Sequence, residues 1–287
     1  LGRPIQVDLG FRSEEVRFFR EVQQPAGPKV VFVDIPSAFS RAGLYGEGGR
    51  DYADNARRFA LFSRAVLDGI PRLIAGPVLV HAHDWHTSLA LMYMRTYGEL
   101  KERYADTPTV LSVHNAGYQG HFPASMLNEC GIPPEVYDFR HLEWYDRINF
   151  LKGGLTFADM VVTVSPTHAQ ELRTPGGVFG LQEVFQWLGS RFTGITNGID
   201  QLVWDPALDD QITANYTVDD PSNKAKCKAS MPGARNTTSD KRRLGWIKAI
   251  WGTSRWLTIS PWASTTIQQR SWSKPISVNV ASCSITP

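Results

Sequence analysis

Within six residues, His81-Ala82-His83-Asp84-Trp85-His86, the chain sets three imidazoles and one carboxylate. These groups are common ligands of zinc and related ions, so a metal centre is the first chemistry to weigh. The nearest metal template, the H-x-H-x-D-H run of certain metal-dependent hydrolases, carries its Asp one place later; here the order is H-x-H-D-x-H. Ligation depends on which side chains share a face, so the displacement counts against that reading. No further His/Asp cluster follows at a spacing suited to a second ion. No metal is therefore expected, and histidines packed into a core are the plainer alternative.

A second polar cluster runs Ser112-Val113-His114-Asn115-Ala116-Gly117-Tyr118-Gln119-Gly120. A lone His-Asn pair reads as a turn, because Asn and Gly are turn formers. The third cluster, Thr196-Asn197-Gly198-Ile199-Asp200, holds Asn-Gly, which by itself is a hairpin signal. Position lifts the first two above turns. Each follows a β-branched run, so both would open onto one crevice.

Those runs are the elements that must position the clusters. Residues 30–33, 78–81, 109–113 and 160–164 are short, apolar and β-branched, with a weaker run at 192–196. Near-continuous apolar strands suit a parallel sheet buried on both faces. Helix-like stretches lie between them at 52–67 (Phe59, Phe62 and Val66 on one face), 87–100 and 182–188. Alternating strand and helix argue an α/β, doubly wound parallel sheet, whose ligands collect at strand ends. No apolar run approaches the roughly 20 residues that a membrane span needs. The start, Leu1-Gly2-Arg3-Pro4, reads as no secretion signal, and the three cysteines are too far apart to suggest a disulfide framework. A reducing cytosol is the expected compartment.

Five segments in order carry a family likeness: V-H-A-H-D-W-H, S-V-H-N-A-G-Y-Q-G, F-L-K-G-G-L-x-x-A-D, V-S-P-T-H-A-x-E and T-N-G-I-D-x-x-x-W-D-P. They resemble bacterial glycogen synthases and plant starch synthases. Leu44-Tyr45-Gly46 and Tyr52-Ala53-Asp54-Asn55-Ala56-Arg57-Arg58-Phe59 are similar to that family too, so the resemblance covers about residues 30–223. It implies one Rossmann-like half of a two-domain GT-B glycosyltransferase, working without metal or cofactor. It further implies transfer of glucose from ADP-glucose, or UDP-glucose, to the non-reducing end of an α-1,4-glucan with retention. The expected setting is cytoplasmic, with no nucleic-acid or membrane partner.

Carried over by motif, His114 matches the family's His in the donor-sugar pocket, and Asp84 the Asp expected to contact the transferred glucose. These two are the expected catalytic residues, in the sense of orienting substrate. Asn115 and Asn197 match further cleft residues, and Tyr52 an aromatic near the same cleft; all three are expected to bind substrate. The residue types suit the task. Carboxylate, imidazole and amide groups bind hydroxyls with direction, and oriented dipoles stabilise an oxocarbenium-like transition state.

Some of the family pattern has no match. Nothing before Arg41 corresponds to the K-x-G-G-L element that lets the backbone approach the donor diphosphate. Lys152-Gly153-Gly154-Leu155 lacks the intervening residue and reads as a tightly packed helix and loop. Beyond Lys228 there is no S-R-L-x-x-Q-K-G-type segment and no later cleft Glu. The expected organisation is a Rossmann-like domain over 1–228 without its first strand, closed by a linker-like stretch over 205–221, then an atypical tail over 229–287. From 231 to 287 there are 8 Lys+Arg against one Asp, no Glu, and 5 of the 9 tryptophans, with neither helical nor strand period. The tail therefore reads as disordered or out-of-frame text, rather than a basic nucleic-acid- or glucan-binding arm. The isolated chain is expected to be inactive, and a non-catalytic, truncated glucan- or sugar-binding module is the alternative.

Overall fold

The computed structural model describes residues 1–20, 29–176, 180–201, 204–230, 256–259 and 276–281. Apolar residues alternate with polar ones at Ile5, Val7, Leu9 and again at Val16, Phe18, and both runs become strands with the apolar side buried. These are β1 (Ile5–Leu9) and β2 (Arg12–Arg20), an antiparallel hairpin about Gly10-Phe11, which β3 (Lys29–Asp34) extends. There follow α1 (Pro36–Phe39), the two-residue strands β4 (Gly46–Glu47) and β5 (Arg50–Asp51), and the long helix α2 (Asn55–Leu73). β6 (Leu79–His83) runs straight into α3 (Asp84–Thr96) and then α4 (Gly98–Arg103) and β7 (Thr109–Val113). A small sheet of β8 (His121–Pro123), β9 (Glu143–Trp144) and β10 (Arg147–Asn149) precedes α5 (Phe150–Phe157). β11 (Met160–Thr163), α6 (Pro166–Glu171), α7 (Gln182–Trp187) and β12 (Phe192–Gly194) come next. Last are α8 (Lys224–Ser230), β13 (Trp256–Ile259) and β14 (Ile276–Ala281).

The main sheet has nine strands in the order β1-β2-β3-β14-β13-β6-β7-β11-β12. From β13 to β12 every neighbour pair is parallel. This is the parallel sheet that the runs at 78–81, 109–113, 160–164 and 192–196 predict, crossed over by α3, α5 and α6–α7, whereas the run at 30–33 becomes β3 and pairs antiparallel on both sides. From β1 to β13 every pair is antiparallel, so the sheet is mixed on that side. The β1–β2 hairpin has no counterpart in the expected strand set.

Helix α3 is the hub of the core. It is buried from Asp84 through Met94 and packs against α2, α5, β6 and β7. A helix covered on all sides carries little amphipathic signal, which is why it reads poorly from periodicity. Helix α2 is also buried from Asn55 to Leu67, with Arg57, Arg58 and Arg64 included, yet it keeps a clear apolar stripe. Helix α5 approaches α3 closely because position 154 lacks a side chain: a Cβ there would sit 2.5 Å from Ser88 Oγ. Gly153 is pressed likewise against Leu142.

The chain divides into two compact units, one of residues 1–195 with 252–287, the other of residues 196–251. The stretch read as linker-like, 205–221, lies in the second unit, in which no described residue from 196 to 230 is buried. Within the second unit the described order is local, with Asn215 Nδ2 donating to Pro206 and Asp209 carbonyls and Cys227 Sγ to Ala214 O.

Two segments of the terminal stretch, expected as a tail outside the fold, are described as strands. Residues 256–259 pair parallel with β6, and residues 276–281 pair antiparallel with β3 and β13. The sequences WLTI and ISVNVA are rich in β-branched residues, which is enough to form strands where an edge is open. The remainder of 231–287 lies outside the described residues.

Candidate functional site

The ends of β6 and β7 carry both polar clusters. In register, His83 stands opposite Ser112 and His81 opposite Val110. Strand side chains alternate faces, so His81 and His83 share one side of β6. Their rings lie 4.3 Å apart, and His81 Nε2 is 2.8 Å from Ser112 Oγ. His83 Nδ1 is 2.8 Å from Nε2 of His114, with the two rings stacked at 5.2 Å. Burial pushes His81 down to about 4 and His83 well below the ordinary histidine range, with neighbouring imidazoles adding to the shift. Both are neutral near pH 7.

Asp84 begins α3 with φ of 55°, in the left-handed region. Asp tolerates that region better than most residues, but it still costs on the order of 1 kcal/mol. The backbone before it is pinned by Thr87, whose hydroxyl accepts from the His83 N–H at 2.7 Å and donates to the His83 carbonyl at 2.8 Å. What the turn achieves is aim. Asp84 Oδ1 accepts the backbone N–H of His114 at 2.8 Å and, at 3.5 Å, that of Asn115. The carboxylate thus ties the end of β6 to the loop after β7. Burial raises its pKa, while the charge of His114 and the two N–H groups pull the other way. Asp84 Oδ2 makes no hydrogen bond among the described residues and remains as an acceptor.

The loop after β7 is the open side. His114 and Asn115 are exposed, and Asn115 Oδ1 accepts the Gly117 N–H at 2.9 Å in a local turn. The structure therefore brings together Asp84, His114 and Asn115 of the expected site residues. Tyr52 is not part of that cluster. It precedes α2, and its ring lies beneath Arg41 at 4.8 Å and Arg58 at 5.0 Å. Its hydroxyl accepts the Gly43 N–H at 3.3 Å. Arg41 is itself held by both oxygens of Asp54 at 2.6 Å, which keeps that carboxyl below its ordinary range. The link onward to the cluster runs through Tyr45, which accepts from Asn55 Nδ2 through its carbonyl and stacks on His86 at 5.1 Å. Asn197 is exposed and belongs to the second unit.

Sequence reasoning assigned no role to His81, His83 or Ser112. The signal was present in the period of two: His81 and His83 in one strand, Ser112 and His114 across its neighbour. Conversely, Lys152-Gly153-Gly154 is packed as expected. Lys152 is buried, and its Nζ donates to the carbonyls of Phe139 at 2.5 Å and Glu143 at 2.6 Å. The first N–H groups of α5 are also spent: Phe150 on Gly120 O, Leu151 on Gln119 O, Lys152 on Asn149 Oδ1. A helix end satisfied in this way has no donors left for a phosphate. Among the described residues no group of three or more His, Cys, Asp or Glu is arranged to hold a metal ion, and no helix is long and apolar enough to cross a membrane.

A parallel α/β sheet flanked by helices, with polar loops at the carboxyl ends of adjacent strands, defines a Rossmann-like half of the two-domain GT-B glycosyltransferase fold. Residues 2–187 match the model of the starch synthase catalytic domain. The chain belongs to that family, one of glucosyltransferases. It is 40% identical over 202 residues to glycogen synthase of Syntrophotalea carbinolica, covering 70% of this chain and 42% of that one. Over 230 residues it is 40% identical to glycogen synthase of Anaeromyxobacter dehalogenans, covering 80% and 48%. Among solved structures it is similar to the catalytic domain of starch synthase IV from Arabidopsis thaliana bound to ADP and acarbose. The TM-score is 0.60 and the identity 29%, over 79% of this chain and 46% of that one. The chain spans less than half the length of these relatives.

Proposed function

We propose that this chain supplies one side of the donor site of a cytoplasmic glycogen or starch synthase, which moves glucose from ADP-glucose to the non-reducing end of an α-1,4-glucan with retention. The observation that carries the reading is the tie from Asp84 Oδ1 to the His114 N–H. It ties two adjacent strand ends, so that the Asp84 carboxylate lies beside the backbone of His114 and Asn115, whose side chains are exposed. Groups preorganised in this way orient a sugar and stabilise developing positive charge at its anomeric carbon with little reorganisation. ADP in the Arabidopsis structure supports the adenine nucleotide over uridine, and acarbose supports an oligosaccharide acceptor. Asn197 and Tyr52 are proposed to contact substrate in the whole protein.

The test uses an enzyme in which residues 1–228 are joined to the parts of a relative that lie beyond the matched stretch. His114→Ala and Asp84→Ala should each lower kcat by roughly 10²-fold or more with the fold intact. His168→Ala should change it little, since that residue lies in the first turn of α6 with its N–H on Ser165 Oγ and its ring beside Glu171. Undiminished turnover in both cleft variants would remove the basis of this assignment.

A further inference from the structure

The two ring nitrogens of His83 meet opposite surroundings. Nδ1 lies 2.8 Å from His114 Nε2, whereas Nε2 is shut off from solvent and has no hydrogen-bond partner. A hydrogen bond between two imidazole nitrogens needs one protonated and one bare nitrogen, so only two neutral arrangements exist. In one, His83 carries its proton on Nδ1 and donates to His114; its buried Nε2 is then a bare lone pair. In the other, His114 donates, His83 carries its proton on Nε2, and an N–H is buried with no acceptor. Orphaned buried N–H groups are rare because they forfeit a hydrogen bond that water would supply, and under-used acceptors are tolerated better. The first arrangement is favoured.

We infer that His83 is a positioning residue that sets the tautomer of His114: by donating from Nδ1 to His114 Nε2, it makes His114 the Nδ1–H form. His114 is exposed, so that N–H is the ring group left for a ligand oxygen. The donor character suits a sugar hydroxyl or ring oxygen, and this last step rests on the sugar-binding reading above. The His83 ring is held in place by its neighbours. His81 packs against it at 4.3 Å and is itself anchored on Ser112. The charged or titratable groups around the pair are His81 on β6 and Asp84 at the start of α3, which accepts the His114 backbone N–H and also faces the His114 ring through its charge. Burial keeps His83 uncharged, so it cannot serve both rings as an imidazolium.

Long-range proton–nitrogen correlation on the ¹⁵N-labelled full chain at neutral pH reads the tautomer directly, without activity. His114 should show a protonated Nδ1 and a bare Nε2, and His83 a protonated Nδ1 and a bare Nε2. His83→Phe should release His114 toward the Nε2–H form that imidazole favours in water. His83→Asn, whose carboxamide N–H stands near the lost Nδ1–H, should restore the Nδ1–H form. A wild-type His114 protonated on Nε2 overturns the inference, as does a His114 tautomer that ignores His83→Phe. The wild-type measurement stands even where a variant fails to fold. Failure of the sugar-binding reading would leave these resonances unchanged, so the two ideas fail separately.

Discussion

The ends of β6 and β7 are neighbours in one sheet, yet they are built in opposite ways. At β6 the imidazoles are desolvated and neutral, Asp84 takes a left-handed backbone, and one ring nitrogen has no partner. At β7 the chain turns outward at once, and His114, Asn115 and Tyr118 are exposed in a short polar loop. The comparison teaches a division of labour. The buried end carries the strain and fixes geometry, while the open end presents polar atoms at little cost to stability.

Acid should break this contrast most forcefully. His81, His83 and His86 have folded pKa values below the unfolded value of about 6.5. Stability is therefore full above that value and falls as the pH drops toward the folded values, about 4 for His81 and about 3 for His86. Each histidine contributes a loss of about 1.4 kcal/mol per pH unit inside its window. Asp84 offsets part of this, because a raised carboxyl pKa gains stability as the pH falls. Urea unfolding from pH 7 to pH 4 should show a steep net decline. A flat profile would mean that the β6 imidazoles are as hydrated as the β7 loop.

A pair of substitutions at Asp84 sharpens the contrast on an intermediate scale. Asp84→Ala should cost about 1–3 kcal/mol, since it strands the His114 N–H and leaves a side chain in the left-handed region. Asp84→Gly loses the same acceptor but relieves the backbone, and should be less destabilised by about 1 kcal/mol. Equal losses on thermal unfolding would show that strain is absent. The smallest effect belongs to the open end: Asn115→Ala and Tyr118→Ala should each stay within about 0.5 kcal/mol of the parent. A larger loss at either would show that the loop carries structural weight of its own.

Much of this was legible in the sequence. The parallel strands β6, β7, β11 and β12 fall on short apolar runs that stand apart in the sequence, the last of them weak. The polar loops after the first two of these strands could be placed from that alone, while the roles expected of Asp84, His114 and Asn115 came from the family resemblance. The β1–β2 hairpin was missed although Ile5, Val7 and Leu9 alternate, because Arg12–Glu15 reads as a charged surface and the alternation resumes only at Val16. Helix α2 starts at Asn55, with Asp54 at its cap, and leaves Tyr52 outside. The backbone sign at Asp84 leaves no trace in residue type, and the pairing of His83 with His114 depends on register between strands far apart in sequence. Such features come from tertiary geometry, not from local pattern.

The amino end of α5 has a consequence for how the site breathes. Its first three N–H groups are taken by Gly120 O, Gln119 O and Asn149 Oδ1, and Asn149 Nδ2 in turn donates to Gln119 Oε1 at 2.8 Å. Gln119 Nε2 then reaches the Ala116 carbonyl at 3.0 Å. An exposed loop and a buried helix end are thereby wired into one set of mutual bonds, so neither can open alone. The amides of Phe150, Leu151 and Lys152 should exchange with deuterium only when residues 116–120 lift away with them. The rate at which that helix end exchanges is thus a clock for the opening of the loop beside it.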